Sequence, residues 1–363
     1  MNPLLYEPIF LAATSLICYL TVARYLVTSN LPRNNNSIFI PLLLSLILVF
    51  WLGGRPISGA AFGDTANYAL EYMTMDAAGR TVSMNWRGEW IWSLLMVTCK
   101  KTGMSVSEFF TIVEAGYILS ALWAVKRFMP SNPMLGMLFL WTSLMFFSFG
   151  VNGLRNGLAC HIMLLAMSFF FDDRYIAGIF LCLLAFGLHR SVMLPILAVL
   201  AGRYLIKTFK YAIVIWVGAI FVSLLAGGTF TDFFSSLGFD DRMSSYITSD
   251  YSNSFSRTGF RWDFLLYSSF PILMGWYVCV KKKIRDDWYK TLCIAYCLCN
   301  AFWVLVIRIA FSNRFAYLSW FMYPIVIAYP LINLPVWKEQ NNKTALILAA
   351  YCSFTLLIQL FLW

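Results

Sequence analysis

Arginines concentrate on one side of the predicted topology, and arginine is the residue best suited to binding phosphate. Ten of the twelve basic residues outside the predicted cytoplasmic loops are arginines, whereas nine of the fifteen inside them are lysines. A guanidinium is permanently charged and forked, so it binds phosphate or carboxylate oxygens through paired hydrogen bonds. The asymmetry predicts a binding or active face opposite the cytoplasm.

The polar residues of that face occur in short clusters that are far apart in sequence. The candidate site residues are Arg55, Asp64, Tyr68, Glu89, Arg155, His189, Arg190, Arg308 and Arg314. Several of them border apolar helix, where ionisable groups are costly and therefore more often functional. Shared membrane depth makes this set a candidate site.

Each candidate also has a structural interpretation. Arg55 and Arg155 could anchor a span end by snorkelling. Asp64 and Glu89 could cap short helices. His161, about two turns inside a predicted span, is interpreted as a satisfied core group.

Composition determines the class of protein that must position these residues. The chain has 363 residues, of which 60% are hydrophobic and 12% charged. These values predict an all-α polytopic membrane protein with a single integral membrane domain over residues 1–363. The stretch 4–27 lacks a basic flank and a small-residue cleavage site, so we interpret it as a retained span. The net charge of +10 includes no basic run longer than 281–285, so a nucleic-acid partner is not expected.

A membrane span requires about 20 apolar residues. The sequence predicts twelve spans, at roughly 4–27, 37–53, 108–125, 133–149, 154–171, 174–188, 190–206, 211–227, 262–280, 288–307, 315–334 and 344–363.

Two segments decide the topology. The apolar stretch 90–99 covers only ~15 Å, so we place it on or partly into the outer surface, with Trp86, Trp90 and Trp92 at the interface. The stretch 175–203 contains His189-Arg190 at its centre. A single helix would bury that pair at the midplane, so a tight hairpin with the pair at the surface is favoured.

The charge bias then gives the orientation. The predicted cytoplasmic loops have a net charge of +10, and the rest of the chain nets zero. The positive-inside rule therefore places both termini outside, together with two large outer loops at approximately 54–107 and 228–261. Cys293, Cys297 and Cys299 lie in an apolar span without nearby His or Asp, which favours core packing over a metal site.

With these residues in place, the chain resembles the EpsG/Wzy-type family of bacterial polysaccharide polymerases from about residue 50 to 325. The matching pieces are Arg55, Gly63-Asp64-Thr65-x-x-Tyr68, Glu89, Leu154-Arg155-Asn156-Gly157-Leu158-Ala159, His189-Arg190-Ser191 and Asn313-Arg314-Phe315-Ala316-Tyr317. The resemblance implies transfer of a growing glycan from undecaprenyl pyrophosphate to a lipid-linked oligosaccharide repeat unit. It places that reaction at the outer, periplasmic face of the bacterial inner membrane.

The residue types agree with that chemistry. The leaving group is a lipid pyrophosphate, which arginines can neutralise without a metal or other cofactor. Those expected to bind substrate are Arg55, Arg155, Arg190, Arg308 and Arg314, together with Tyr68. The acceptor hydroxyl must lose a proton, which His189, Asp64 or Glu89 could accept. Expected partners are the lipid-linked substrate, membrane lipid, a chain-length regulator and a flippase; the product is O antigen, capsule or exopolysaccharide.

Other functions remain open at this point. A polyprenyl-phosphate-dependent glycosyltransferase or a glycan ligase could use the same outer residues. A transporter of lipid-linked oligosaccharide should carry charges near the midplane in broken helices. The interiors of the predicted spans are nearly free of charged residues, with Glu114 as the main exception. A membrane acyltransferase would require a deeper histidine, for which His161 offers little support.

Overall fold

The computed structural model describes residues 1–27, 36–75, 88–236, 259–309 and 312–361, except for the side chains of 227–236. In these ranges every regular element is a helix and no strand occurs. The predicted all-α class is therefore confirmed.

The helices group into two compact units, Met1–Val192 with Leu331–Trp363, and Met193–Pro330. Up to Val192 the helices are α1 (Tyr6–Val27), α2 (Phe39–Gly53), α3 (Gly59–Phe62), α4 (Thr65–Thr74), α5 (Trp90–Lys101), α6 (Val106–Phe128), α7 (Pro133–Trp141), α8 (Phe146–Val151), α9 (Leu154–Phe171) and α10 (Tyr175–Leu188). From Met193 they are α11 (Met193–Leu200), α12 (Phe209–Ser236), α13 (Trp262–Gly275), α14 (Asp287–Leu305), α15 (Asn313–Trp320), α16 (Tyr323–Asn333) and α17 (Gln340–Phe361). The prediction that residues 1–363 form a single integral membrane domain covers both units, and it stays a prediction.

Seven segments of the described chain are long and apolar enough to cross a membrane. They are Pro3–Val27, Val106–Phe128, Leu154–Phe171, Phe209–Ala226, Trp262–Lys281, Asn313–Asn333 and Gln340–Phe361. Two shorter apolar helices, Phe39–Gly53 and Tyr175–Leu188, add to them. A polytopic membrane protein is thus supported, and the count of twelve spans is not confirmed.

Several predicted spans are interrupted. The predicted span 133–149 consists of α7 and α8, separated at Thr142, whose hydroxyl donates to the Leu138 carbonyl at 2.6 Å. The predicted span 315–334 likewise divides into α15 and α16. The described parts of the predicted outer loop 54–107 contain three helices, α3, α4 and α5.

Local sequence explains where the central helix α6 begins and how it packs. The Ser105 hydroxyl accepts from the Glu108 N–H at 3.3 Å, and the Glu108 carboxylate accepts from the Ser105 N–H at 2.7 Å, which forms a capping box. α6 packs against α2 and α9. At Gly53 of α2, a Cβ would lie 2.5 Å from the Cα of Thr111, so glycine permits the close approach to α6.

Two segments that decided the predicted topology have clear outcomes. The helix predicted at 90–99 is present as α5, and Trp92 on it is only 1% exposed, so its side chain is buried within the protein and does not face lipid. It packs against Tyr68 and Phe109, because residues 92, 96 and 99 form one buried face at helical spacing. The predicted break at His189 is confirmed, since α10 ends at Leu188. The hairpin and the membrane orientation stay predictions.

Candidate active site

Glu89 joins two of the predicted site residues in the first unit. Its carboxylate accepts hydrogen bonds from Nη1 of Arg155 and from Nδ1 of His189, which lie 66 and 100 positions away in the sequence. An ionised carboxylate only accepts hydrogen bonds, so the bonded Nδ1 must carry the ring proton. In the neutral imidazole, the basic lone pair is then on Nε2.

Helix ends position this pair. Glu89 occupies the position before α5 but makes no capping bond with its side chain, so the capping interpretation does not account for it. His189 follows α10 with an extended backbone, and its N–H donates to the Ala185 carbonyl at 3.0 Å. A Cβ at Gly187 would lie 2.4 Å from Cγ1 of Ile91. The glycine therefore lets the end of α10 approach the beginning of α5.

Arg155 is the third member of the cluster and lies in the first turn of α9. Its Nε donates to the Tyr68 hydroxyl at 3.1 Å, and its Cζ lies 5.3 Å from the centre of that ring. The Tyr68 ring in turn packs edge-on against Trp92, with centroids 5.3 Å apart. Tyr68 and Glu89 thus hold the guanidinium from two directions.

The cluster is partly accessible. Arg155, Glu89 and His189 expose 19%, 18% and 23% of their side-chain surface, whereas Tyr68 is buried. The contacts of Arg155 with Tyr68 and Glu89 use Nε and Nη1, so its Nη2 edge is not part of them. A basic imidazole nitrogen and an arginine edge therefore lie on either side of one carboxylate, a suitable arrangement for general base catalysis beside an anionic group.

Asp64 precedes Tyr68 by four positions, and its backbone N–H is bound by a residue outside this cluster. It occupies the position before α4 without a side-chain capping bond, and its backbone N–H donates to Oδ1 of Asn152 at 2.9 Å. The structure therefore places Asp64 near the start of α9. Its bond to Asn152 joins the same two segments that carry Tyr68 and Arg155.

Arg55 is buried, which excludes the snorkelling interpretation. Its Nη1 donates at 2.7 Å both to Oε1 of Glu114 and to the Leu52 carbonyl, and its Nη2 donates to the Thr65 hydroxyl at 3.2 Å. Both charged side chains are fully buried. Sequence reasoning did not pair Glu114 with Arg55, although a lone carboxylate within an apolar span indicates that a cationic side chain is buried beside it.

The remaining residues to place are Arg190, Arg308, Arg314 and the core histidine His161. Arg190 is exposed and begins the turn 190–192. Arg308 and Arg314 belong to the second unit, where the Cζ of Arg308 lies 5.5 Å from the Phe260 ring centre. His161 is buried, with Nδ1 2.9 Å from the Tyr117 carbonyl, which confirms the core interpretation.

Several residues of the two predicted outer loops, 54–107 and 228–261, lie outside the described residues. They are Trp86, Arg87, Asp240, Asp241, Arg242 and Arg257. Among the described residues, no group of three or more His, Cys, Asp or Glu side chains is arranged to hold a metal ion.

Fold and site together define a polytopic helical membrane protein with a carboxylate-centred cluster of histidine, arginine and tyrosine. The chain belongs to the EpsG family, whose model matches residues 38–363. No curated protein and no solved structure matches it significantly. Family membership indicates a function of the polysaccharide-polymerase type, with glycosyltransferase-like activity.

Proposed function

We propose that this protein is a polysaccharide polymerase of the bacterial inner membrane that acts at the periplasmic face. Its donor is a glycan linked to undecaprenyl pyrophosphate, and its acceptor is a lipid-linked oligosaccharide repeat unit. The acceptor hydroxyl oxygen attacks the anomeric carbon of the donor, and the bond from that carbon to the pyrophosphate oxygen breaks. Undecaprenyl pyrophosphate leaves with the bonding electron pair.

His189 takes the proton of the acceptor hydroxyl on Nε2. Glu89 supports this role because its bond to Nδ1 holds the ring in the required tautomer and stabilises the imidazolium that forms. Glu89 is therefore assigned to orient His189 rather than to act as the base. This pair is the observation that carries the proposal.

Arg155 stabilises the charge that develops on the leaving group. Its guanidinium is held by Tyr68 and Glu89, so its remaining edge needs little reorganisation when pyrophosphate binds. Arg190, Arg308 and Arg314 are further candidates for the same anion, and Asp64 is retained as a second candidate for the acceptor side.

The test uses purified protein in nanodiscs, supplied with lipid-linked repeat units, with chain length measured on a gel. We expect His189→Gln and Glu89→Gln to abolish long glycan, because the first removes the base and the second weakens its orientation. Addition of a chelator should leave the wild-type rate unchanged, since no step requires a metal.

The two histidines provide a matched control. His161→Gln should lower thermal stability, because His161 is buried, whereas His189→Gln should unfold at the wild-type temperature. A His189→Gln variant that polymerises at the wild-type rate would show that His189 is not the base. Net movement of intact repeat units without new glycosidic bonds would instead identify a transporter.

A further inference from the structure

A tight turn before α4 is joined to the segment before α9 by hydrogen bonds that no predicted role uses. Asn152 accepts from the Asp64 N–H at 2.9 Å, and the Thr65 hydroxyl donates to the Val151 carbonyl. Thr65 is completely buried, whereas Asn152 is half-buried. Two adjacent residues of one segment thus bind two adjacent residues of the other.

Gly63 allows this close contact. Its backbone has φ +51° and ψ −115°, a conformation that residues with a side chain rarely adopt. A Cβ at this position would also lie 2.5 Å from Oδ1 of Asn152. Both the turn and its approach to Asn152 therefore require glycine.

The buried ion pair supports the turn from inside the unit. Arg55 donates from Nη2 to the Thr65 hydroxyl at 3.2 Å and to the Val151 carbonyl at 3.4 Å. Glu114 of α6 accepts from the same guanidinium at 2.7 Å. Arg55, Thr65 and Glu114 are thus connected by hydrogen bonds that meet at the Val151 carbonyl, and the Asp64–Asn152 bond is adjacent to them along both segments. We call these bonds together the turn network.

The turn network lies one helical step from the Tyr68–Arg155 contact. Tyr68 follows Thr65 by three positions, and Arg155 follows Asn152 by three positions. Residues three apart in a helix lie on the same face, so the hydroxyls of Thr65 and Tyr68 both contact the segment 151–155 from one face of α4. The network and the Tyr68–Arg155 bond are therefore successive links between the same two segments.

We propose that Asn152 and Thr65 are positioning residues that set Tyr68 against Arg155, with the Arg55–Glu114 pair as their buried support. The proposal rests on the proposed function for its catalytic consequence. It also gives Arg55 a role through Thr65, in place of direct contact with pyrophosphate.

Paired variants test the chemistry of each contact. The side chain of Asn152 accepts the bond from the Asp64 N–H through Oδ1, so Asn152→Asp should keep activity and Asn152→Ala should lose it. Thr65→Ser retains the hydroxyl and should stay active, whereas Thr65→Val has the same shape without it. We expect losses of roughly ten- to a hundredfold in kcat for the Ala and Val variants, as a displaced catalytic group would cause.

A double-mutant cycle separates positioning from general stability. In a Tyr68→Phe background, the Tyr68–Arg155 bond is already absent, so Asn152→Ala should lower kcat by a much smaller factor than it does in the wild type. A cost that is equal in both backgrounds would overturn the proposal, because the network would then act through something other than Tyr68 and Arg155.

Hydrogen exchange measures the network without substrate. The peptide that contains Asp64 should exchange faster in Asn152→Ala than in the wild type, and Asn152→Asp should restore the slow rate. Unchanged exchange in Asn152→Ala would overturn the proposal. If the wild-type protein makes no polymer, the proposed function fails, and the exchange result still decides whether Asn152 holds the turn.

Discussion

The proton on Nδ1 of His189 is the residue-scale feature on which the proposed chemistry depends. Sequence alone offered His189, Asp64 and Glu89 as alternative bases. The structure joins Glu89 to His189, and the proposed mechanism gives this pair two tasks, with His189 as the base and Glu89 as the group that orients it. Because a carboxylate cannot donate when ionised, the pair leaves Nε2 as the basic atom of the neutral ring.

Arg155→Lys should lose roughly a hundredfold in polymerisation rate, the usual effect of removing one donor to developing charge. Arginine contacts Tyr68 through Nε and Glu89 through Nη1, whereas a lysine has one nitrogen and cannot make both contacts and bind phosphate. The measurement is the initial rate with purified protein.

The matched control is Arg174→Lys, since Arg174 is exposed and has no part in the cluster. It should retain the wild-type rate. Full activity of Arg155→Lys would reduce Arg155 to a positive charge near the membrane surface.

Close approaches between helices set the geometry at the scale of elements. Gly187 lets α10 reach the beginning of α5, and Gly53 lets α2 reach α6. These contacts are not visible as hydrophobic periodicity, because a glycine contributes no side chain to the pattern. Hydrophobic periodicity therefore did not predict these close approaches, and it also did not predict the interruption at Thr142 or the burial of Trp92 on α5.

Gly53→Ala should lower the free energy of unfolding by about 1–3 kcal/mol, a typical cost of overpacking. The new Cβ would meet the backbone of Thr111, which cannot move aside without shifting α6. Thermal unfolding in detergent, followed by size-exclusion chromatography, measures this effect.

Gly218→Ala is the control, because no described atom lies within 4 Å of a Cβ built there. Alanine also favours helix, so this variant should be as stable as the wild type or more stable. Equal losses in the two variants would contradict the packing argument at Gly53.

At the scale of the whole molecule, orientation in the membrane is a consequence of charge distribution. The predicted cytoplasmic loops hold the net charge of +10, and the predicted hairpin at His189 is what assigns residues 281–283 to that side in the predicted topology. With that orientation, we expect the candidate active site to face the periplasm, where the proposed polymerisation of lipid-linked repeat units takes place.

Site-directed labelling tests that orientation. Asn67→Cys should react with a membrane-impermeant maleimide from the outside, because Asn67 is exposed on α4 beside the site. A reporter fused after Lys283 should read cytoplasmic. Background labelling of the native cysteines should be low, since they are buried except Cys279, which is half-buried. A reporter that reads outside would refute the predicted hairpin and move the active face.

Composition and local pattern were sufficient for the class of protein. An apolar content of 60%, arranged in long apolar runs, predicts helices in lipid, because a helix satisfies the backbone polar groups of such a run within its own segment. The candidate residues were also visible, because arginine, histidine and carboxylates are rare and costly beside apolar helix. Both inferences depend on residue type and near neighbours, which the sequence contains directly.

Only the tertiary structure decided which of these residues meet. Glu89 contacts residues 66 and 100 positions away, and Arg55 meets Glu114 across 59 positions. Such pairs depend on how α2, α5, α6, α9 and α10 pack, and packing is set by the shapes of many side chains together. Sequence spacing contains no distance between separate helices, so Arg55 could be predicted as a charged candidate but not as the buried partner of Glu114.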